Sequence, residues 1–350
     1  MTDEPTRRST TDPAAVSGTD AAADVPVEPR GGTPIVAIGE ALVDVVEPSA
    51  EALAAGAEAV EHPGGSPMNI AFGLARLGRG VTLVTEIGTD ARGDAIAEHL
   101  RSAGVELASG SVRDEPTSSA TAHIGADGSA DYTFDLRWSL PAGLAATDPA
   151  LAEAGIVHIG SIAAFLAPGA DEVASIVADL AGSEHPPLIT FDPNVRPSIV
   201  PDREAVVARF EVLAALAAVV KLSDEDAGWL YPRDDLEGAV DRILALGPAL
   251  VAVTRGGDGA LLAAREHRRE VPGVRVEVAD TIGAGDSFMS ALIDQLAGLL
   301  DEGVTPESLR DGHAFDSARL GLIGDFAVRC AAITVSRAGA NPPTRADIAD

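Results

Sequence analysis

Ala279-Asp280-Thr281-Ile282-Gly283-Ala284-Gly285-Asp286-Ser287-Phe288-Met289-Ser290 decides the reading of this chain, because it sets a carboxylate, Asp286, just behind a glycine turn that opens a helix. Gly283, Ala284 and Gly285 carry almost no side chain, so their backbone N–H groups can close around phosphate oxygens, and the helix dipole favours negative charge there. The pattern suits phosphoryl transfer, with Asp286 taking the proton of an attacking hydroxyl. It equally suits a plain strand, turn and helix N-terminus, in which Asp286 is a first-turn acid that stabilises by roughly 0.3–1 kcal/mol. Both readings stand at this point.

Outward from that turn, a helix is expected over Ala284–Leu300 and a longer one at about His313–Val335, ended by Ser336-Arg337-Ala338-Gly339-Ala340-Asn341-Pro342. Upstream, Ala260–Val278 reads as a less regular β region. Before it, short apolar runs at Ile35–Ile38, Val81–Thr85, Ile156–Ile159, Leu188–Phe191, Val219–Leu222 and Leu250–Val253 read as strands. Helical spacing falls between them at Ser66–Leu77, Asp94–Ser102, Asp171–Ala181, Arg203–Ala217 and Leu236–Leu246. This alternation predicts an α/β fold, a mainly parallel sheet with helices on both faces and ligands at the carboxyl ends of its strands. Thr117–Ile124 and Asp131–Leu136 flank Gly125-Ala126-Asp127-Gly128-Ser129, a hairpin signal that projects from the main sheet as a candidate lid. Residues 1–33 lack apolar periodicity and read as a disordered tail, the fold begins at Pro34, and Arg345–Asp350 reads as a C-terminal tail without chemistry.

With 350 residues, 46% of them hydrophobic, the chain can bury a large core. Lys plus Arg total 25 against 54 Asp plus Glu, and the net charge of −29 repels nucleic acid and anionic membrane and favours a small-molecule partner. No apolar run approaches the roughly 18–20 residues of a membrane span, and no basic and apolar leader opens the chain, so a cytoplasmic protein is expected. Cys330 is the only cysteine, which excludes an internal disulfide and a cysteine metal cluster, and its apolar helical setting predicts core. Lys221 is the only lysine. The seven histidines show no metal-ligand spacing, His158 reads as a satisfied core or edge residue, and Trp138 and Tyr132 near the hairpin read either as ligand contacts or, the favoured reading, as packing residues.

There is no G-x-x-x-x-G-K-[ST] loop, and no Gly-x-Gly-x-x-Gly after the first strand, which argues against a P-loop site and a nicotinamide dehydrogenase. Polar groups nonetheless gather just after predicted strands. Asp44 follows the first strand, Gly64-Gly65 precedes a helix whose first turn holds Asn69, and Asp192, Asn194 and Arg196 follow Leu188–Phe191. Thr254, Gly256, Gly257 and Gly259 follow Leu250–Val253. Each alone reads as a cap or turn residue; a doubly wound sheet would bring them to one edge.

Taken together, Gly64-Gly65-Ser66-Pro67-Met68-Asn69-Ile70-Ala71 and Asp280-Thr281-Ile282-Gly283-Ala284-Gly285-Asp286-Ser287-Phe288 resemble the two signatures of the ribokinase-like, or PfkB, carbohydrate kinases, over about residues 34–344. The resemblance implies a three-layer α/β/α domain of nine or so strands with a small β-sheet lid, drawn from about 42–62 and 112–137. Carried over, Asp286 is the catalytic base, with the amides of Gly283, Ala284 and Gly285 as an anion hole. Asp44, Gly64, Gly65 and Asn69 hold the sugar, and Arg137 is a further sugar contact. Thr254, Gly256 and Gly259 match a nucleotide turn, with Asn194, Lys221 and Ser223 also near the nucleotide. Asp280 and the Gly339-Ala340 turn lie where family members build a monovalent-cation site.

Two departures qualify the likeness. The Asn-x-x-Glu glutamate that assists magnesium in many members is missing after Asn194, and Asp226 stands where Glu is usual. Asp192-Pro193-Asn194-Val195-Arg196-Pro197 and Gly39-Glu40-Ala41-Leu42-Val43-Asp44 are similar instead to fructokinases, the former also to 2-keto-3-deoxygluconate kinases. The resemblance thus implies transfer from ATP, with Mg²⁺ and a monovalent cation such as K⁺, to the 6-hydroxyl of fructose. The alternatives are 2-keto-3-deoxygluconate or ribose as acceptor, or a catalytically silent sugar-binding regulator. A homodimer through the lid sheet is a further expectation.

Overall fold

Along the first strand Ile35 and Ala37 face one apolar layer while Val36 and Ile38 face the other, and all four are buried. A strand covered on both faces must read as a near-continuous apolar run, which is why the parallel strands were legible and the alternation of a half-exposed sheet was absent. The computed structural model describes residues 30–49, 56–124 and 130–349. The expected N-terminal tail up to position 29 and the hairpin turn at 125–129 lie outside the described residues.

In chain order, β1 (Arg30–Ile38), β2 (Leu42–Glu47) and β3 (Val60–Gly64) lead into α1 (Ser66–Arg76), β4 (Arg79–Val84), β5 (Ile87–Gly88) and α2 (Ala91–Ala103). Then come β6 (Glu106–Leu107), β7 (Val112–Arg113), β8 (Ser119–Ile124), β9 (Ala130–Asp135), α3 (Pro149–Ala152) and β10 (Ile156–Gly160). The next units are α4 (Gly169–Ala181), β11 (Leu188–Asp192), α5 (Arg203–Leu216), β12 (Val219–Ser223), α6 (Asp224–Leu230), α7 (Leu236–Leu246) and β13 (Leu250–Thr254). The chain closes with β14 (Ala260–Ala264), β15 (Arg268–Val271), α8 (Ala284–Asp301), α9 (Pro306–Arg310), α10 (Ser317–Val335) and α11 (Arg345–Ala349).

Nine strands form one sheet in the order β15-β14-β13-β12-β11-β10-β1-β4-β6, parallel except where β14 and β15 pair antiparallel at one edge. Apolar residues of α1, α2, α8 and α10 fill one face and those of α4, α5 and α7 the other. β1 leads to β4 on one side, while β10 docks on its other side and the later strands build outward from there. The order reverses between β1 and β10, so the crevice at their carboxyl ends is where a ligand site belongs. A separate four-stranded sheet, β3-β2-β8-β9, stands at that edge because β2 and β3 leave directly from the end of β1.

Several element bounds differ from expectation for local reasons. β1 starts at Arg30, not Pro34, and the backbone N–H and hydroxyl of Thr33 both donate to Asp301 of α8 at 2.8 Å. α10 starts at Ser317, not His313, because Asp316 caps it by accepting from Arg319 N–H at 2.8 Å. α2 begins at Ala91, three residues early, capped by Asp90. The supposed C-terminal tail is α11, and Arg345 donates to the Leu77 carbonyl and pairs with the buried Asp294. Cys330 is buried in α10 as expected. No helix among the described residues is long and apolar enough to cross a membrane.

The face covered by α4, α5 and α7 is anchored by aromatics. Phe191 on β11 is fully buried, with ring centroids 5.6 Å from Phe210 and 6.5 Å from Phe165. Truncating a phenylalanine in so closed a layer removes transfer energy and leaves a cavity, so Phe191→Ala is expected to cost about 3–5 kcal/mol in urea unfolding. A loss under about 1 kcal/mol would mean that this layer collapses without penalty.

Candidate active site

Gly283 caps α8 at φ 76°, and a Cβ there would sit 2.7 Å from Ala340 Cβ, so both conformation and space demand glycine. Asp280 fixes the turn from below: its Oδ1 accepts from Ile282 N–H at 3.0 Å and its Oδ2 from Gly339 N–H at 3.0 Å. These bonds hold its carboxyl below the usual range. The result is a helix start with Asp286 in its first turn, the Ala284 N–H donating back to the Thr281 carbonyl at 3.3 Å.

Asp286 is met by a second helix start. Its Oδ1 accepts from Ser66 Oγ at 2.6 Å and its Oδ2 from Asn69 Nδ2 at 2.8 Å, both from the first turn of α1. α1 is brought this close by Gly65 at φ 110°, where a Cβ would lie 2.6 Å from the Glu40 carbonyl. The carboxylate is thus fixed in orientation while remaining partly open to solvent. Two positive helix ends converge on one negative side chain.

A cavity of about 510 Å³ opens in front of Asp286. Of the predicted site residues, Asp44, Gly65, Asn69, Asn194, Lys221, Gly283, Gly285 and Asp286 all line it. Gly64 lies beneath Asp44, where a Cβ would meet Asp44 Oδ2 at 2.2 Å, and Ala284 belongs to the same α8 turn. Asp44 has area open to the cavity yet is recessed in it, and burial raises its carboxyl against the opposing pull of His62 and Arg196. Lys221 Nζ donates to Asp192 Oδ2 at 2.8 Å in a buried pair, and a Cβ on Gly285 would lie 3.0 Å from that ammonium. Burial pushes Asp192 up to about 6 despite the lysine, and Asp192 Oδ1 has no partner.

Other expectations are not brought to the cavity. Thr254, Gly256 and Gly259 form the β13–β14 turn at the same sheet edge, with Gly256 at φ 51° and Gly259 at φ 95°. Ser223 and Asp226 cap α6 reciprocally, and Asp226 Oδ1 accepts from Val195 N–H at 2.9 Å, so both of its oxygens are engaged. Arg137 lies outside the cavity near Asp135, at 3.8 Å. It lies two residues past the end of β9, whose Tyr132 and Phe134 line the cavity. Arg196 lines the cavity instead. Of the two aromatics weighed as ligand or packing residues, Tyr132 is 62% exposed at the cavity rim, while Trp138 is buried and donates to the Ala163 carbonyl at 3.0 Å. His158 is only half satisfied: Nδ1 meets Thr190 Oγ1 at 3.0 Å, Nε2 has no partner, and burial with nearby Lys221 pushes it down to about 3.

Glu40, Ser66 and Ser161 were not singled out as site residues, though all three line the cavity. Ser66 was recognisable only as part of a motif, and Glu40 as an acid one residue past a strand-end glycine. Burial pushes Glu40 up to about 7. The folded state therefore retains protons on Glu40 and Asp192 that the unfolded chain releases from about 4.5 and 3.8 upward. Their contribution to stability is complete below those values and is lost as pH rises to about 7 and 6 respectively. The urea midpoint of the ligand-free protein is expected to fall across that window; a rise would contradict the burial of both acids.

The whole of this α/β unit matches a known family. The model for the "pfkB family carbohydrate kinase" covers residues 33–347. The chain belongs to that family. This carbohydrate kinase is a phosphotransferase acting on a sugar hydroxyl. It is 32% identical over 325 residues to fructokinase-1 of Oryza sativa subsp. japonica, covering 90% of this chain and 96% of that one. Its fold is similar to fructokinase with bound ATP from Xylella fastidiosa, at TM-score 0.74 and 25% identity over 90% of this kinase and 97% of that chain. It is likewise similar to a fructokinase double mutant from Vibrio cholerae O395 in its fructose-, ADP- and potassium-bound form, at TM-score 0.73 and 25% identity, covering 91% and 99%.

Proposed function

We propose that the kinase transfers the γ-phosphoryl group of ATP to the 6-hydroxyl of fructose, with Asp286 as the base. The carrying observation is the Asp286 carboxylate, oriented by Ser66 and Asn69 yet open to the cavity beside the first amides of α8. Asp286 accepts the hydroxyl proton as the oxygen attacks, and the α8 amides with the Lys221 ammonium stabilise charge on the moving group. Asp44 and Asn69 offer acceptors and a donor to sugar hydroxyls. The fructokinase names among the relatives support fructose.

Mg²⁺ fits this site as a companion of the nucleotide. No group of three or more His, Cys, Asp or Glu side chains able to hold a metal converges among the described residues, and Mg²⁺ characteristically binds phosphates with only one or two carboxylates. The unpartnered Asp192 Oδ1 would hold it or its water, and the ion would supply charge neutralisation of the phosphates. For a monovalent cation, Asp280 with the Gly339-Ala340 turn remains the candidate, its carboxylate already orienting both loops. Thr254, Gly256 and Gly259 would receive the rest of the nucleotide, with Asn194 and Ser223 nearby.

A second acceptor is favoured by one observation: Arg196 lines the cavity and could pair with the carboxylate of 2-keto-3-deoxygluconate. ADP release measured over fructose, ribose and 2-keto-3-deoxygluconate separates the readings. The expected result is the highest kcat/KM on fructose; turnover confined to the carboxylated sugar would transfer the assignment to Arg196 and that substrate.

The small sheet serves as the lid in this reading, excluding water while phosphate moves. Its exposed Val46 and Val60 are paired across strands, with Tyr132 further along the sheet, an apolar face suited to the same face of a second copy. Sedimentation of the kinase is expected to report a dimer that Val60→Asp weakens; a monomer at all concentrations removes this partner.

A further inference from the structure

Among the described residues, only two non-glycine residues have positive φ, Ser161 at 55° and Asn194 at 37°, and they are bonded to each other. Asn194 Nδ2 donates to Ser161 Oγ at 3.4 Å. Both line the cavity and both follow strands at the β1/β10 switch, Ser161 after β10 and Asn194 after β11. Backbone held in sparsely populated regions persists only where surrounding contacts over-determine it, and such residues gather at working sites. Something must therefore hold this pair.

Glu40 is the group in position to do so. It sits two residues past the end of β1 and is 4% exposed. Its carboxylate accepts from Ala163 N–H at 3.1 Å, the neighbouring Ser161 side chain favours its ionised form, and the Ser161 oxygen accepts from Asn194. We propose that Glu40 is a positioning residue for the phosphoryl transfer, its carboxylate clamping the Ser161–Ala164 turn and, through Ser161, fixing Asn194 in the cavity wall. The proposal rests on the assignment of this cavity to phosphoryl transfer.

The clamp has a dependence on protonation that a merely structural contact lacks. An ionised carboxylate accepts charge-assisted bonds roughly twice as strong as neutral ones, so the clamp tightens as Glu40 loses its proton. Burial, partly offset by Ser161 and Ala163 and reinforced by Asp286, brings that loss to about 7. Asp286 reaches Glu40 from α8; Asp44 on β2 and Arg196 after β11 border the same cavity. Asp192 and Lys221 neutralise each other at the neighbouring strand ends. The β10 turn and the first turn of α1 present only neutral groups, Ser161, Ala163, Ser66 and Asn69.

The test compares wild type, Glu40→Gln, Glu40→Ala and Asp286→Asn from pH 6 to 8. Wild-type kcat/KM for the sugar is expected to rise by about threefold to tenfold through pH 7, the gain from strengthening the bond to a charged acceptor. Glu40→Gln keeps the shape without the charge and should flatten that rise to within about twofold. The urea midpoint of Glu40→Gln should gain on wild type between pH 4.5 and about 7, which reports the buried ionisation without reference to activity. In a crystal structure of Glu40→Ala, Ser161 or Asn194 should relax to negative φ. An unchanged pH profile in Glu40→Gln, or both residues retaining positive φ in Glu40→Ala, overturns the clamp. Normal turnover in Asp286→Asn instead overturns the cavity assignment, so the two failures are distinct.

Discussion

Asp286→Asn is expected to fold normally and to turn over sugar at least ~10²-fold more slowly than wild type, the lower range for loss of a general base. The amide matches the carboxylate in size and can still accept from Ser66 or Asn69, so circular dichroism and the urea midpoint should change little. What disappears is the capacity to take a proton, while cavity, amides and helix dipole remain. The expected signature is a fall in kcat and kcat/KM together with a nearly constant sugar KM, as for an interaction used only in the transition state. Near-wild-type turnover in a folded variant would falsify the role of Asp286 as base.

Lys221→Met is expected to be the most destabilising single change in the site. It removes the ammonium from Asp192, whose carboxyl is 1% exposed and already has one unpartnered oxygen. Breaking a buried pair from one side leaves an uncompensated charge and costs about 3–5 kcal/mol. The cost should depend on pH with a definite sign. Asp192 is already pushed up to about 6, and without the lysine it moves higher, so protonation relieves the penalty in acid. Urea unfolding should therefore show a large loss at pH 8 and a smaller one at pH 5. Removing the charge as well, in Lys221→Met with Asp192→Leu, should recover part of the stability but not activity. A loss equal at both pH values would contradict an ionised Asp192 held by Lys221.

The retention of lysine at position 221 has a physical reason in the packing. All 24 other Lys plus Arg residues, 25 less this one, are arginine. Nζ of Lys221 lies 3.0 Å from where a Gly285 side chain would begin, so its compact ammonium rests against the α8 turn. Composition alone says only that Lys221 is the sole lysine, because its neighbours in space are set by β11, β12 and α8 together.

What the sequence disclosed follows from how locally each feature is encoded. Buried parallel strands announce themselves as apolar runs, and the Gly283 turn by the residues that only a left-handed helix cap tolerates. β3 was harder, since Val60-Glu61-His62-Pro63-Gly64 shows no alternation and includes a proline. β5 and β7, two residues each, carry no period at all. The bonds that orient Asp286 join residues 220 and 217 positions apart, and no local pattern encodes them. Glu40 looked like one acid among many until its burial was visible. Arg196 lines the cavity and Arg137 does not, because where each lies is set by the packing of the strand ends that carry it and not by a local pattern.

The most direct measurement is a crystal structure of the kinase with fructose and a non-hydrolysable ATP analogue. The account predicts a carboxylate oxygen of Asp286 within hydrogen-bond reach of the fructose 6-hydroxyl, at about 2.6–3.2 Å, with the terminal phosphate over the α8 amides on that hydroxyl's other side. A 6-hydroxyl separated from Asp286 by more than one water, or a terminal phosphate bound away from Gly283–Gly285, would contradict it.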